Sequence, residues 1–255
     1  MPDTRIAAQM YTVREFCKTP GDIAQSVRKI REIGYEAVQT SGLGPIEADE
    51  LRRICDGEGV TICATHVKFE ELRDNTQAQI DYHKAIGCDN PAIGGLPQDC
   101  RGSGEGFVRF AAEANEVGRK LAEAGLAFSY HNHSFELEKF DGRLGLDIIF
   151  EDTAPRFVKA ELDTYWIQHG GGDPAAWIAK LSDRVDLLHL KDMAMSGREQ
   201  LFAEIGEGNL NWGAILAEAE MADVRWYIVE QDICQRDPFE SLAISFNNMR
   251  EMGLE

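Results

Sequence analysis

Short apolar runs alternate with longer amphipathic stretches along the whole chain, and this alternation constrains the fold more than any other feature of the sequence. Runs rich in β-branched and aromatic residues predict strands, whereas longer stretches with helical apolar periodicity predict helices. The strands are predicted at residues 6–11, 35–39, 60–67, 90–94, 126–131, 157–162, 185–190 and 226–229. The helices that follow them are predicted at 21–33, 46–58, 75–86, 107–124, 146–151 and 174–181, after Asn211, and at 238–252.

Eight strand–helix units in strict alternation predict a parallel sheet, because each helix returns the chain to the same end of the sheet. Eight is also the number of parallel strands that closes into a barrel, and 255 residues is a usual length for that fold. We therefore predict an α/β protein with a single (β/α)₈ barrel, or TIM barrel, spanning residues 1–255. An open doubly wound sheet is the alternative. No linker, low-complexity tract or change in composition divides the chain.

Polar side chains collect where the predicted strands end, which is where the active sites of (β/α)₈ barrels lie. The residues are His66 after the third strand, His131, Asn132, His133 and Glu136 after the fifth, Glu161 and Asp163 at the sixth, His189, Lys191 and Asp192 at the seventh, and Glu230, Gln231 and Asp232 at the eighth. Several carboxylates converging on one mouth repel one another unless they are neutralised or paired. A divalent cation removes this conflict, and mixed histidine and carboxylate ligands suit Mn²⁺, Mg²⁺, Co²⁺ or Zn²⁺.

Short motifs at these strand ends resemble those of a known family. They read YHNHSFE at 130–136, ELDTYW at 161–166, HLKD at 189–192, GEG at 206–208 and VEQD at 229–232, and QMYTVR stands near the start at 9–14. In this order, each at its strand end, the motifs resemble the xylose isomerase-like TIM barrel superfamily, and within it the sugar phosphate isomerase/epimerase group. The resemblance covers nearly the whole chain and implies the same barrel fold.

The resemblance implies one divalent metal ion, with Mn²⁺ expected first, held by one side chain from each of the fifth to eighth strands. Asp163 matches the aspartate of the LDT motif, His189 the histidine of H-x-K-D, and Glu230 the glutamate of the last strand. These three residues are therefore predicted to be metal ligands.

The fifth-strand ligand is where this chain departs from the family pattern. Ungapped alignment puts Tyr130 where the ketose 3-epimerases have their glutamate. Glu136 aligns with a second glutamate in the following loop, and we expect it to reach back to the metal. His131 or His133 is the alternative ligand.

The resemblance also implies proton transfer next to a carbonyl group, as in the isomerisation or epimerisation of a sugar. A metal ion stabilises the charge of the enediolate, while a carboxylate removes the carbon-bound proton. Glu136 and Glu230 come from different strands and are predicted to flank the substrate as proton-transfer groups, with His131 as a further catalytic residue. Lys191 shares a face with the seventh-strand histidine and is predicted to steady the oxyanion, or else to pair with an acid such as Glu161.

The predicted substrate is a small carbohydrate bound by polar and aromatic residues at the mouth, namely Tyr11, His66, His133, Trp166 and Gln231. The same residues suit the elimination of water, as in related barrels that act on keto-inositols, 3-keto-sugars or 3-keto-glycosides. A lyase or dehydratase is therefore the second prediction. A barrel that has lost catalysis and serves as a binding subunit is the third.

Charge and composition exclude other classes of function. The net charge of −18 and the absence of any basic run argue against a nucleic-acid partner. The apurinic endonucleases share this fold but need a histidine three residues after the sixth-strand aspartate, where this chain has Trp166. The N-terminal residues lack an apolar segment, which predicts no signal peptide and a cytoplasmic protein without a membrane partner. The six cysteines are scattered and predicted to be reduced, and a homodimer or hetero-oligomer is compatible with the sequence.

Overall fold

A computed structural model of the chain describes residues 5–254, and within them eight parallel strands form a closed barrel. The first to eighth strands are Ile6–Gln9, Ala37–Thr40, Thr61–His66, Pro91–Ile93, Ser129–His131, Lys159–Asp163, Val185–Leu190 and Trp226–Val229. Each pairs with the strands before and after it, and the first also pairs with the eighth, with Ile6 opposite Tyr227. This closure confirms the predicted (β/α)₈ barrel and excludes the open doubly wound sheet.

Ten α-helices surround the barrel in the described part of the chain. They are α1 (Pro20–Ile33), α2 (Ala48–Gly57), α3 (Phe69–Asp74), α4 (Thr76–Ile86), α5 (Gly104–Glu123), α6 (Gly145–Glu151), α7 (Thr164–His169), α8 (Pro174–Lys180), α9 (Trp212–Met221) and α10 (Pro238–Glu251). Capping sets where several of them begin. Thr19 forms a capping box with Asp22 at the start of α1, and Asp173 and Asp237 cap helices whose first residue is proline.

The structure differs from the predicted elements chiefly at the mouth of the barrel. The first strand ends at Gln9, because the Gln9 side chain accepts a hydrogen bond from the Tyr11 backbone N–H and residues Met10–Phe16 continue as a 3₁₀ helix. Helices α3 and α7 are not predicted, nor are two β-hairpins, which join Lys139–Phe140 to Arg143–Leu144 and Asp192–Ser196 to Glu199–Ala203. All four lie in the segments that follow the C-terminal ends of barrel strands.

Two groups of buried apolar residues hold the barrel together. The larger fills the space between strands and helices. The smaller lies inside the barrel and comprises Ala7, Ala37, Cys63, Ala64, Leu187, Trp226 and Ile228. Because side chains alternate along a strand, the next inward positions above this apolar plug are Gln9, Gln39, His66, His189 and Glu230. The apolar plug is therefore the floor of a polar mouth.

Within residues 5–254, no helix combines the length and the apolar character needed to cross a membrane. The six cysteines all lie in this range, and each is free. Residues 1–4 and 255 lie outside the described residues. The predicted absence of a signal peptide depends on the N-terminal segment, whose start is therefore not described.

Candidate active site

Four buried side chains from consecutive strands bring their ligand atoms together at the mouth of the barrel. They are His131 of the fifth strand, Asp163 of the sixth, His189 of the seventh and Glu230 just after the eighth, and one nitrogen or oxygen atom of each lies within 4.8 Å of the others. Each stands at the C-terminal end of its strand and faces inward. Three of the four are the predicted metal ligands, and His131 is one of the two alternatives for the fifth strand.

The Asp163 carboxylate has one oxygen without a hydrogen-bond donor. Its Oδ1 accepts the Trp166 backbone N–H at 2.8 Å and so caps α7, whereas the buried Oδ2 receives no hydrogen bond from any residue in 5–254. The Lys191 ammonium lies 3.1 Å from Oδ2, but without hydrogen-bond geometry. Burial raises the pKa of Asp163 to about 6, against the opposing effect of Lys191. A buried carboxylate oxygen that receives no hydrogen bond is suited to bind a cation.

The donor set of this group suits a divalent metal. Two imidazoles and two carboxylates are the mixed nitrogen and oxygen ligands that ions such as Mn²⁺, Co²⁺ and Zn²⁺ accept. His131 Nδ1 is buried and lacks a partner among the described residues, while His131 Nε2 lies 3.9 Å from Asp163 Oδ2. His189 Nδ1 lies 2.7 Å from Glu230 Oε2 and 4.0 Å from Asp163 Oδ2. The residues present therefore fit a single divalent ion.

Glu136 is not brought into this group, in contrast to the expectation that it reaches back to the metal. It is fully buried in a 3₁₀ turn after the fifth strand, where one carboxylate oxygen accepts the Tyr130 hydroxyl at 2.7 Å and the other accepts the His133 backbone N–H at 2.9 Å. Tyr130 points away from the mouth, because its neighbour His131 points inward and side chains alternate. The Tyr130 ring packs on Phe110 of α5, so Glu136 is held toward the helices, where burial raises its pKa to about 7.

Lys191 is buried among three carboxylates. Its Nζ lies 2.7 Å from Glu230 Oε2, 2.7 Å from Asp232 Oδ2 and 3.1 Å from Asp163 Oδ2. The lysine therefore forms ion pairs, though with these acids rather than with Glu161. Burial acts to lower the pKa of Lys191, but the carboxylates, Asp163 first, hold it above its usual range. Burial likewise acts to raise the pKa of Glu230, yet Lys191 holds that pKa below its usual range, so both groups stay charged.

A second buried group lies beside the first and centres on Glu161. His66 Nε2 lies 2.9 Å from Glu161 Oε2, and His189 Nε2 lies 2.6 Å from Glu161 Oε1. Gln39 donates its amide to the same Oε1 at 2.6 Å, and Gln9 donates to Gln39 at 2.7 Å. Burial alone acts to raise the pKa of Glu161, but His189 and His66 lower it to about 2. Neither glutamine is a predicted site residue, although a glutamine ending an otherwise apolar strand is a signal for such a role.

A cavity of about 240 Å³ opens over these residues. The described residues that line it are Tyr11, Ser41, His66, Gly94, His131, His133, Lys191, Glu230 and Asp232. Three predicted substrate-binding residues, Tyr11, His66 and His133, are on this wall. The other two, Trp166 and Gln231, are not on this wall. The Trp166 ring packs beside the His133 ring at 5.3 Å, and the buried Gln231 side chain donates a hydrogen bond within its own loop.

A larger cavity lies elsewhere in the described part of the chain. It measures about 700 Å³ and is lined by residues of α5, of the hairpin at 139–144 and by Ile148 of α6, none of which ends a barrel strand. The smaller cavity is the better candidate because buried ionisable groups converge on it, whereas the ionisable groups that line the larger one are exposed or half-buried. Burial and the neighbouring His189 lower the pKa of His131 well below its usual value, and burial with Lys191 lowers that of His133 to about 3. Both imidazoles are therefore neutral near pH 7.

Asp192 holds the loop that carries the GEG motif. Its carboxylate accepts hydrogen bonds from the backbone N–H groups of Met193, Gly206, Gly208 and Leu210 and from the Trp212 indole. These donors satisfy the buried acid, so Asp192 is a structural residue rather than a candidate ligand. A Cβ atom on Gly208 would lie 2.3 Å from Asp192 Oδ1, which explains the glycine. The aspartate of HLKD and the GEG motif therefore form one structural unit.

Known proteins resemble this chain in both sequence and fold. A family model described as xylose isomerase-like TIM barrel matches residues 27–249. The chain is 22% identical to the rhizopine catabolism protein MocC of Rhizobium meliloti, over 91% of this chain and 82% of that protein. It is 24% identical to an inosose dehydratase of Geobacillus kaustophilus, over 84% of this chain and 80% of that protein. Its fold matches the crystal structure of a sugar phosphate isomerase/epimerase from Parabacteroides distasonis with a TM-score of 0.84 and 21% identity, covering 99% of this chain and 96% of that one.

Proposed function

The chain belongs to the xylose isomerase-like TIM barrel family, and on that basis we propose that it is a metal-dependent enzyme acting on a carbohydrate or related polyol that carries a carbonyl group. The family indicates an enzyme, because its members that resemble this chain include a sugar phosphate isomerase/epimerase and an inosose dehydratase. The observation that carries the proposal is the buried group of His131, Asp163, His189 and Glu230 beside a cavity of about 240 Å³.

The proposed metal ligands are one side chain from each of the last four strands. Asp163, His189 and Glu230 keep the roles expected from the sequence, and His131 takes the fifth-strand place in preference to Glu136, whose carboxylate is already bonded to Tyr130. Mn²⁺ is the ion proposed first, with Mg²⁺, Co²⁺ or Zn²⁺ as alternatives. When bound, the ion supplies a Lewis acid that stabilises negative charge on a substrate oxygen.

The residues around the cavity are proposed to move the protons. Glu230 lines the cavity and stays ionised, so it suits removal of the proton from the carbon beside the carbonyl. Lys191 brings a fixed positive charge to the same wall and stabilises the resulting oxyanion. His66 also lines the cavity and is proposed to return a proton to the substrate, whereas the neutral His133 is proposed to bind a substrate hydroxyl group. Glu136 does not line it, so its proposed role is to hold the loop after the fifth strand.

Isomerisation or epimerisation is the first proposed reaction, and dehydration is the second. Dehydration is favoured by the similarity to an inosose dehydratase over 84% of this chain. It uses the same proton abstraction, followed by protonation of a departing hydroxyl group by a cavity histidine. A cytoplasmic location and a homodimer or hetero-oligomer also remain predictions.

Deuterium exchange distinguishes these reactions in one experiment. Protein loaded with Mn²⁺ is incubated in D₂O with ketoses, keto-inositols and 3-keto-glycosides, and the products are followed by NMR and mass spectrometry. We expect deuterium at the carbon next to the carbonyl for at least one substrate, with inverted configuration for an epimerase or loss of water for a dehydratase. Asp163→Asn is the control and should abolish exchange. Metal-replete wild-type protein that exchanges none of these substrates would contradict the proposal.

A further inference from the structure

A line of buried polar side chains runs beneath the mouth, and one backbone group sets the direction of its hydrogen bonds. The Tyr11 backbone N–H donates to Gln9 Oε1 at 3.2 Å. Because a backbone N–H only donates, this contact identifies the Gln9 oxygen and leaves the Gln9 amide nitrogen to donate to Gln39 Oε1 at 2.7 Å. Both glutamines are fully buried, so neither exchanges these partners for bulk water.

The same reasoning assigns the proton on one nitrogen of His189. Gln39 Oε1 is an acceptor in this line, and the Gln39 amide nitrogen donates to Glu161 Oε1 at 2.6 Å. His189 Nε2 lies 2.5 Å from Gln39 Oε1 and 2.6 Å from Glu161 Oε1. Two acceptor oxygens therefore face this nitrogen, and contacts this short require that Nε2 carry a proton and donate.

We propose that Glu161, supported by Gln39 and Gln9, orients His189 so that Nε2 keeps its proton and Nδ1 is the nitrogen that binds the metal ion. This inference rests on the one-metal site of the proposed function. Nδ1 faces that site, because it lies 2.7 Å from Glu230 Oε2. Without a metal ion this contact also needs a proton on Nδ1, and binding of the ion displaces that proton while Nε2 keeps its own. Glu161 is a positioning residue, since it acts through His189 and does not line the cavity. Carboxylates that accept the second N–H of a metal-binding histidine typically contribute about 10–100-fold to metal affinity.

The surroundings of Glu161 argue against the alternative, a second metal ion at this place. His66, His131, Glu161 and His189 do bring ligand atoms within 4.8 Å of one another. Both Glu161 oxygens, however, already face donors: His66 at 2.9 Å on Oε2, and Gln39 and His189 at 2.6 Å on Oε1. Glu161 therefore serves as the acceptor at the centre of a hydrogen-bond network.

Nitrogen NMR of the wild-type protein tests the assignment directly. Protein labelled with ¹⁵N-histidine is compared with and without Zn²⁺, which is diamagnetic, in long-range ¹H–¹⁵N spectra, and a His189→Asn variant assigns the signals. We expect Nε2 of His189 to carry a proton both with and without Zn²⁺, and Nδ1 to lose its proton and change its shift when Zn²⁺ binds. A proton kept on Nδ1 in the Zn²⁺-bound protein, with the loss of the proton at Nε2, would overturn the inference.

Metal affinity gives a second, independent readout. Mn²⁺ binding to Glu161→Gln is measured by isothermal titration calorimetry, with Glu204→Gln as a matched control, because Glu204 is a buried carboxylate bonded to Ser241 at 2.7 Å and Arg236 at 3.2 Å instead. We expect the dissociation constant to rise about 10–100-fold in Glu161→Gln and to stay unchanged in the control. Unchanged affinity in folded Glu161→Gln overturns the inference.

The outcomes also separate this inference from the function on which it rests. Wild-type protein that binds neither Mn²⁺ nor Zn²⁺ contradicts the proposed function, and the role of Glu161 with it. Wild-type protein that binds one ion through the other nitrogen of His189 overturns the role of Glu161 alone. Should Glu161→Gln fail to fold, the wild-type spectrum decides by itself.

Discussion

At the scale of single residues, the fifth strand decides which side chain faces the candidate metal site. The strand has three residues, and its last inward position belongs to His131. Tyr130 points to the helices, and its hydroxyl holds the Glu136 carboxylate there at 2.7 Å. Tyr130 stands where an ungapped alignment places the fifth-strand metal ligand. In this chain, that tyrosine instead holds Glu136 of the following loop.

Two variants should distinguish the candidates for the fifth-strand ligand. His131→Ala should weaken Mn²⁺ binding by at least the roughly 10–100-fold expected for a supporting group, because it removes a donor from the group itself. Glu136→Gln should leave the dissociation constant within a few-fold but lower the melting temperature, because a buried acceptor for two donors is altered. Calorimetric titration at one pH measures both. Loss of metal from Glu136→Gln, with metal retained by His131→Ala, would restore the original expectation.

Lys191 provides a test that separates metal binding from catalysis. The Lys191 ammonium lies 2.7 Å from Glu230 Oε2 and 3.1 Å from Asp163 Oδ2, so it competes with a cation for both carboxylates. Lys191→Met should therefore keep or increase Mn²⁺ affinity, while turnover falls by about 100-fold or more because an oxyanion-stabilising charge is lost. Metal content is read by elemental analysis beside the activity assay. Folded Lys191→Met without metal would make Lys191 a support of the metal site instead.

At the scale of elements, the loop between the seventh strand and α9 is organised by one buried acid. Asp192 draws backbone N–H groups from both ends of the GEG segment onto its carboxylate, and the Trp212 indole joins them at 2.7 Å. The hairpin formed by Asp192–Ser196 and Glu199–Ala203 lies in the chain between Asp192 and the GEG segment that Asp192 binds. The loop is therefore held at its base, next to Lys191 of the cavity wall.

Gly208→Ala should destabilise this element. The added Cβ would lie 2.3 Å from Asp192 Oδ1 and 2.5 Å from the Met193 carbonyl oxygen, so atoms that hold the loop must move. Overpacking of this kind typically costs about 1–3 kcal/mol. Gly213→Ala is the control, because its Cβ would meet only Asn211 Oδ1 at 3.8 Å in the first turn of α9. Chemical denaturation measures both, and equal stability of the two variants would show that the loop adjusts freely.

At the scale of the whole molecule, barrel closure brings together ligands that are far apart in the sequence. The candidate group spans residues 131 to 230 and comes from four adjacent strands above the apolar plug. An unfolded chain holds no such group, so metal binding is coupled to folding. The melting temperature should therefore report the occupancy of the site.

Mn²⁺ at 100 times its dissociation constant should stabilise the folded protein by about 2.7 kcal/mol, and a chelator should reverse the effect. Asp163→Asn is the matched variant, because asparagine still caps α7 while the charge on the unpartnered oxygen is removed. Its melting temperature should not respond to Mn²⁺. Thermal unfolding with and without the ion measures this, and a wild-type protein indifferent to Mn²⁺ would contradict the one-metal site.

The sequence alone determined the barrel and the chemical character of its mouth, because both depend on local properties. Apolar periodicity predicts strands and helices residue by residue, and eight units in alternation leave little choice of topology. The position of Asp163, His189 and Glu230 at strand ends is likewise local, since the direction of a side chain follows from the alternation along its own strand.

Only the tertiary structure decided which of these polar groups meet one another. Glu136 lies with Tyr130, Lys191 lies with Asp232, and Glu161 lies with Gln39, three pairings that no spacing in the sequence predicts. Such contacts depend on side-chain rotation and on the packing of strands and loops distant along the chain. The two hairpins escaped prediction for the same reason, because the short strands of each are stabilised by pairing with each other rather than by their own periodicity.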